Sequence, residues 1–170
     1  MWPLIPPGTL DEHLKVVGVT ALVTVLVVMI HYEGLRRLAM HYMRPGHSVR
    51  GHRHRTGFIG LIFALLALHA VEVVLYGLAF FWLEHQPDMG FIHGEHGLAT
   101  VFDALYFSAT IYTTLGLGDL SPVGAIRLIA GMESLTGLLL ITWSASFTYL
   151  EMSRTWGAPE HRARDDDPPA

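Results

Sequence analysis

Three long apolar blocks dominate this 170-residue chain and constrain its fold more than any other feature. They run from Leu14 to Ile30, from Gly57 to Leu83 and from Val123 to Glu151. Each block reaches or exceeds the ~17 residues that an α-helix needs to cross the hydrocarbon layer of a bilayer. Because 51% of the residues are hydrophobic and only 15% are charged, there is too little charge to cover a soluble domain of this size. The sequence therefore predicts an all-α membrane protein with three transmembrane helices.

The composition also excludes several classes of function. The chain has no cysteine, so disulfides, thiolate metal sites and cysteine nucleophiles are excluded. Its formal charge is −4, and no basic patch is interleaved with aromatic residues, so we expect no nucleic-acid partner. We expect no enzymatic activity and no cofactor.

The charges on the connecting segments predict how the chain is oriented. Asp11 and Glu12 precede the first apolar block and Arg36 and Arg37 follow it, which is the reverse of a secretory signal peptide. The segment 34–56 contains six arginines, four histidines and no acidic residue, so the positive-inside rule places it in the cytoplasm, where it can contact anionic lipids. The segment 84–126 has no lysine or arginine and is expected outside. We therefore expect an external N-terminus and a cytoplasmic C-terminus.

The stretch VFDALYFSATIYTTLGLGDLSPVG between the second and third blocks is too short to cross the membrane and return as two helices. A short helix is expected to begin near Asp103, whose carboxylate suits a helix N-terminus, and to run to Tyr112. Gly116 and Gly118 then allow backbone conformations that are closed to other residues. The stretch predicts a re-entrant element in which a short helix is followed by successive carbonyls that point the same way.

The residues Thr114-Leu115-Gly116-Leu117-Gly118-Asp119 resemble the T-V-G-Y-G-D signature of potassium-channel selectivity filters. The sequences His69-Ala-Val-Glu72, Glu133-Ser-Leu-Thr-Gly137, Trp143-Ser144 and Ile30-His31-Tyr32-Glu33-Gly34 resemble small bacterial ion-channel proteins. Those proteins place one extra helix before a two-helix pore. The likeness covers most of the chain up to about Glu151.

This resemblance implies a potassium channel that assembles as a homotetramer in a bacterial inner membrane. Four loops around one axis would form rings of carbonyls that replace the hydration shell of the permeant K⁺. The implied K⁺ positions lie at Thr114, Leu115, Gly116 and Leu117, and Asp119 is expected to anchor the loop from behind. The whole implied filter comprises Thr113, Thr114, Leu115, Gly116, Leu117, Gly118 and Asp119.

The resemblance and the apolar blocks together divide the chain into five parts. We expect an external N-terminal segment at 1–13, the first transmembrane helix at 14–33 and a basic, histidine-rich cytoplasmic loop at 34–56. A pore module at 57–151 comprises a helix, a pore helix with the filter, and a second helix. A disordered cytoplasmic tail is expected at 152–170.

Leu117 departs from the aromatic residue of most potassium filters and cannot donate the hydrogen bond of a tyrosine hydroxyl. The first alternative is therefore a weakly selective monovalent cation channel. Two alternatives of another class are a membrane metalloprotein, because the spacing of His69 and Glu72 suits metal ligation, and a non-conducting accessory subunit.

Ionisable residues inside the apolar blocks are expensive, because an acid near the bilayer centre costs about 2.5–3.5 kcal/mol on insertion scales. His69 and Glu72 share one face of the second helix, and Glu133 lies within the third. We expect the three to cluster behind the short helix as a static strut, as a support for the filter loop, or as a proton sensor. Gly137 lies near the middle of the third helix and suits either a gating hinge or close helix packing.

Overall fold

The structure is a computed structural model that describes residues 10–42, 52–94 and 97–156. In chain order its elements are helix α1 (Leu10–Tyr42), helix α2 (His52–Glu84), strand β1 (Phe91–His93), helix α3 (Val101–Tyr112), strand β2 (Ser121–Val123) and helix α4 (Arg127–Trp156). The described part of the chain is therefore mostly helical, as predicted.

Three of the helices are long and apolar enough to cross a membrane. These spans are Leu10–His41, Gly57–Glu84 and Arg127–Ser153. Large apolar side chains such as Leu22, Phe63 and Leu139 are exposed on their outer faces, with 61–68% of their surface accessible. Such a surface suits contact with lipid rather than with water.

The helices extend beyond the predicted boundaries on both sides of the basic loop. Helix α1 continues past the predicted end at residue 33, and α2 begins at His52, so part of the predicted loop 34–56 is helical. No proline interrupts α1 after Gly34, and Glu33 pairs with Arg36 at 2.8 Å and with Arg37 at 2.9 Å. Side-chain pairs at these spacings support a helix. The middle of the predicted loop, 43–51, lies outside the described residues.

The other boundaries also shift. Helix α1 begins at Leu10 rather than at residue 14. Asp11 and Glu12 lie in its first turn, where negative charges interact favourably with the helix dipole. Helix α4 begins at Arg127 because residues 121–123 form a strand, and it runs to Trp156, into the predicted tail. The remaining parts of the predicted N-terminal segment and tail, 1–9 and 157–170, lie outside the described residues.

The core lies where α3 packs against α2 and α4, while α1 packs against those same two helices. Tyr76, Phe80, Phe107 and Ile129 are fully buried there. The rings of Phe80 and Phe107 meet edge to face with centroids 4.9 Å apart, which is a favoured aromatic geometry. Helix α3 is thus enclosed on one side by two of the long helices.

A short antiparallel ribbon, which the sequence did not predict, ties together the two ends of the connection around α3. Phe91 of β1 lies opposite Val123 of β2, and His93 lies opposite Ser121. The ribbon is secured to α2, because the backbone N–H of Ile92 donates to the Glu84 carboxylate at 3.1 Å. It therefore positions the segment that follows α3.

Candidate functional site

Helix α3 begins with a complete capping box. The Thr100 hydroxyl accepts from the backbone N–H of Asp103 at 3.2 Å, and the Asp103 carboxylate accepts from the backbone N–H of Thr100 at 2.8 Å. This reciprocal pair satisfies N–H groups that a helix start leaves free. The predicted short helix ending at Tyr112 is confirmed in its extent, and Asp103 lies in its first turn.

Glycines let α2 and α4 approach α3 closely. A Cβ added at Gly137 would lie 2.1 Å from the backbone oxygen of Tyr112, and one at Gly77 would lie 3.2 Å from that of Ala104. Any side chain at Gly137 would therefore collide with the C-terminal end of α3. The close-packing interpretation of Gly137 accounts for this glycine, while a gating hinge stays a prediction.

The segment 113–119 leaves the end of α3 with an unusual backbone. The angle φ is positive at every second residue, with values of 60° at Thr114, 52° at Gly116 and 86° at Gly118. Thr114 is one of only two non-glycine residues with positive φ in the described parts of the chain. Backbone N–H groups anchor the segment to α3, since Thr114 donates to Ile111 at 2.9 Å and Gly116 donates to Thr110 at 3.1 Å.

All seven residues of the segment 113–119 are exposed in the single chain. The side chains of Leu115 and Leu117 are 63% and 58% accessible. Asp119, at the far end, accepts a hydrogen bond from the Tyr106 hydroxyl of α3 at 2.8 Å, which is the contact expected of an anchoring residue. This hydrogen bond to a carboxylate raises the pKa of the Tyr106 phenol, so the hydroxyl stays a donor.

A buried polar network surrounds Glu72 and includes Tyr112, the last residue of α3. One carboxylate oxygen of Glu72 lies 2.8 Å from Nδ1 of His31, and the other lies 3.0 Å from Nδ1 of His69. The Tyr112 hydroxyl also donates to Glu72. Ser144 of α4 completes the group, its hydroxyl lying 3.1 Å from Nε2 of His69 and 3.5 Å from Nε2 of His31. All four helices therefore meet in one network, which we call the Glu72 network (His31, His69, Glu72, Tyr112 and Ser144).

Glu133 makes its hydrogen bond to Ser108 rather than to His69 or Glu72, and the expected cluster of the three stays a prediction. Its carboxylate lies 2.5 Å from the hydroxyl of Ser108, which in turn lies 2.8 Å from the backbone oxygen of Val73. Both Glu133 and Ser108 are fully buried, and the second oxygen of Glu133 has no hydrogen-bond partner. Glu133 and Ser108 thus join α4 to α3, and through Val73 to α2.

Sequence reasoning missed three members of the Glu72 network: His31, Tyr112 and Ser144. His31 and Ser144 occur in the quoted resemblances, but no spacing relates them to Glu72. The packing of α1 and α4 against α2 brings these side chains together. In the sequence, 41 residues separate His31 from Glu72 and 113 separate Ser144 from His31.

The three long apolar helices are those of a membrane protein. The sequence profile of a family described as ion channel matches residues 68–152, which is half of the chain, and the chain therefore belongs to this ion channel family. The match takes in the C-terminal half of α2, all of α3 and the segment 113–119, and most of α4, while α1 lies outside it. Membership of this family favours a role that is not enzymatic. No curated protein and no solved structure matches the chain.

Proposed function

We propose that this chain is the subunit of a homotetrameric potassium channel, with α3 as a re-entrant pore helix and the segment 113–119 as its selectivity filter. The observation that carries the proposal is the alternation of φ along Thr114, Gly116 and Gly118. When residues alternate between right-handed and left-handed helical conformations, successive N–H groups point to one side of the chain and the carbonyls point to the other. A row of carbonyls facing one way is what an ion-binding filter requires.

The membrane context supports the same interpretation. Irregular backbone at membrane depth is tolerated where it lines a water-filled or ion-filled cavity, because its polar groups find no partners in lipid. The segment 113–119 is both irregular and exposed in one chain. We infer that four copies surround a common axis, with their filter carbonyls toward the ions and the side chains of Leu115 and Leu117 against neighbouring subunits.

An apolar cavity of about 780 Å³ between α2 and α3 supports assembly. Its walls include Val74, Phe102, Leu105 and Ile141, and Phe102 is 82% accessible in the single chain. Helices of neighbouring subunits can fill such a cavity and remove its apolar walls from lipid. From the charge asymmetry of the connecting segments we infer an external N-terminus and a cytoplasmic C-terminus. From the resemblance to bacterial channels we infer a location in a bacterial inner membrane.

Leu117 supports a second candidate, a weakly selective monovalent cation channel. Its side chain makes no hydrogen bond and is 58% accessible, so within one chain nothing packs firmly behind this part of the filter. A filter flexible enough for its carbonyls to move inward and coordinate the smaller Na⁺ would conduct both ions. The ratio of K⁺ to Na⁺ flux separates the two candidates.

Ion flux from liposomes containing the purified full chain tests the proposal, measured first under a K⁺ gradient and then under a Na⁺ gradient. The variant Gly116→Ala forces a Cβ onto a residue with φ of 52°, which costs about 1–2 kcal/mol in the left-handed region. Apart from its chain neighbours, no heavy atom of the described residues lies within 4 Å of that Cβ, so the helical packing stays intact. Gly18→Ala in α1, which also meets open space, is the matched control.

We expect K⁺ flux well above Na⁺ flux in the native chain and in Gly18→Ala, and its loss in Gly116→Ala. Equal flux of K⁺ and Na⁺ would favour the weakly selective channel. A native chain that runs as a monomer and gives no flux of either ion would contradict both and favour a non-conducting accessory subunit.

A further inference from the structure

We propose that His31, His69 and Glu72 form a binding site for one divalent transition-metal cation such as Zn²⁺, at the junction of the first helix with the pore module. The proposed site lies at the C-terminal end of α3, where Tyr112 contacts both Glu72 and His69. It does not depend on ion conduction.

The donor atoms suit such a cation. Two imidazole nitrogens and a carboxylate oxygen are a recurrent zinc donor set, with a fourth position left for water or another group. One donor atom from each of the three residues lies within 4.8 Å of the other two. Nδ1 of His31 and of His69 lie 2.8 and 3.0 Å from the Glu72 carboxylate, and donors around tetrahedral zinc lie about 3.3 Å apart. A cation therefore fits with small side-chain movements.

The fourth position has a candidate as well. The Tyr112 hydroxyl contacts Glu72 and lies 2.9 Å from Nδ1 of His69. It is therefore placed to complete a four-coordinate site, either directly or through a water molecule.

In one arrangement of the imidazole protons, the hydrogen bonds around the histidines are incomplete without a cation. If both neutral imidazoles donate from Nδ1 to Glu72, both Nε2 atoms are acceptors. Each then faces the hydroxyl of Ser144, which has a single proton to donate. In that arrangement one ring nitrogen is left without a donor, which is costly at the fully buried His31.

A cation on the Nδ1 side resolves this conflict. Each metal-bound imidazole then carries its proton on Nε2, and the Ser144 oxygen can accept from both rings through its two lone pairs. Metal-ligating histidines commonly donate their second nitrogen to a protein oxygen in this way. The competing solutions are an added proton on one imidazole and an Nε2–H tautomer of His69 that accepts from Tyr112. The experiment below separates both from a bound cation.

The surroundings allow a cation to enter and to remain. His31 and Glu72 are fully buried, whereas the His69 side chain is 19% accessible and lines the cavity of about 780 Å³ together with Tyr112. Glu72 pairs with no lysine or arginine among the residues that the structure describes, so no fixed cation already neutralises it. The rings of His31 and Trp143 lie 5.5 Å apart and close the opposite side.

The first test is equilibrium dialysis of the purified, tag-free full chain against Zn²⁺, after removal of bound metal with a chelator, followed by elemental analysis. Histidines of the basic segment can also bind zinc, so the background for all samples carries His41→Gln, His47→Gln, His52→Gln and His54→Gln. We expect one Zn²⁺ per chain in this background. Glu72→Gln should weaken binding at least tenfold, while His85→Ala, which removes an exposed histidine directly after α2, should leave it unchanged.

Co²⁺ in place of Zn²⁺ gives a second measurement that needs no variant at the site. Four-coordinate Co²⁺ absorbs visible light strongly and six-coordinate Co²⁺ weakly, so strong bands in the background chain support the proposal even if Glu72→Gln fails to fold. Absence of stoichiometric zinc, weak six-coordinate bands, or binding that survives in a folded Glu72→Gln chain would overturn it. Because metal binding is measured and not flux, a failed channel experiment leaves this test unaffected.

Discussion

Helix α3 and the segment 113–119 are consecutive in the chain, yet they are held in place by different means. In α3, Ala104, Phe107 and Ser108 are fully buried against the long helices. In the segment 113–119 every residue is exposed. The hydrogen bonds that hold it come from its backbone N–H groups and the Thr113 hydroxyl to α3, and from Tyr106 to Asp119. Close packing holds the helix, whereas backbone conformation shapes the segment.

The glycines show the same difference. At Gly137 a side chain would collide with α3, while at Gly116 and Gly118 a Cβ would meet no heavy atom within 4 Å. At Gly137 the neighbouring backbone of α3 leaves no room for a side chain, whereas Gly116 and Gly118 adopt positive φ, which other residues rarely adopt. We therefore expect substitutions around α3 to change stability and substitutions in the segment to change conduction.

The largest effect is expected from Gly137→Ala. A Cβ at 2.1 Å from the Tyr112 oxygen forces α4 away from α3, and overpacking of this severity costs about 3 kcal/mol or more. The thermal unfolding midpoint of the detergent-solubilised chain, measured by circular dichroism, should fall sharply. Assembly should be lost as well, as measured by size-exclusion chromatography.

Gly131→Ala in the same helix is the matched control, because a Cβ there meets no heavy atom within 4 Å. It should raise the stability by about 0.5–1 kcal/mol, since alanine favours a helix over glycine. Equal unfolding midpoints for the two variants would contradict the close contact of α4 with α3.

His31→Leu tests whether the Glu72 network holds α1 against the rest of the protein, since α1 lies outside the family match. The substitution removes one donor from the buried Glu72 carboxylate, and a hydrogen bond to a charged group contributes about 1.5–3 kcal/mol. Denaturant unfolding in the presence of a chelator measures this loss without any contribution from bound metal.

Thr24→Val provides the comparison for His31→Leu, because it removes another contact between α1 and α2, the hydrogen bond of Thr24 to the Tyr76 hydroxyl at 3.0 Å. A neutral hydrogen bond of this type contributes about 1 kcal/mol. A loss for His31→Leu no greater than that for Thr24→Val would mean that the Glu72 network does not secure α1.

The two regions also differ in how far the sequence predicts them. Helix α3 was predicted to its last residue because its signals are local: a carboxylate for the first turn and two glycines beyond its end. The contact of His31 with Glu72 was not predicted, because α1 and α2 are apolar on most faces and the sequence does not show which faces meet. The ribbon of β1 and β2 was missed because each strand has three residues and the pairing joins segments on either side of α3.

Tyr106→Phe addresses the segment 113–119. Removing an exposed hydrogen bond to Asp119 should lower stability by less than about 1 kcal/mol, but it frees the outer end of the segment. We expect the ratio of K⁺ to Na⁺ flux in liposomes to fall while the unfolding midpoint changes little. Tyr149→Phe, at an exposed tyrosine of α4, should leave both quantities unchanged. A large fall in the midpoint with unchanged selectivity would contradict the division between the two regions.

The smallest effect is expected from Glu133→Gln, although Glu133 is as deeply buried as Glu72. The Ser108 hydroxyl has one proton, and it lies close to both the Val73 oxygen and the Glu133 carboxylate. Both contacts are satisfied when Glu133 is a neutral acid that donates to Ser108, which then donates to Val73. Glutamine has the same shape and its amide can donate in the same way, so the free energy of unfolding should change by less than about 1 kcal/mol.

Infrared difference spectra provide a direct measurement of this state, because a buried carboxylic acid absorbs apart from a carboxylate, and that band should disappear in Glu133→Gln. A marked rise in stability would instead mean that the native chain holds an ionised Glu133 without a cationic partner, a state that is costly in an apolar interior. The packed side of α3 would then contain one strained carboxylate at Glu133 beside a well-partnered one at Glu72. Close packing alone would no longer explain why that side of the helix is stable.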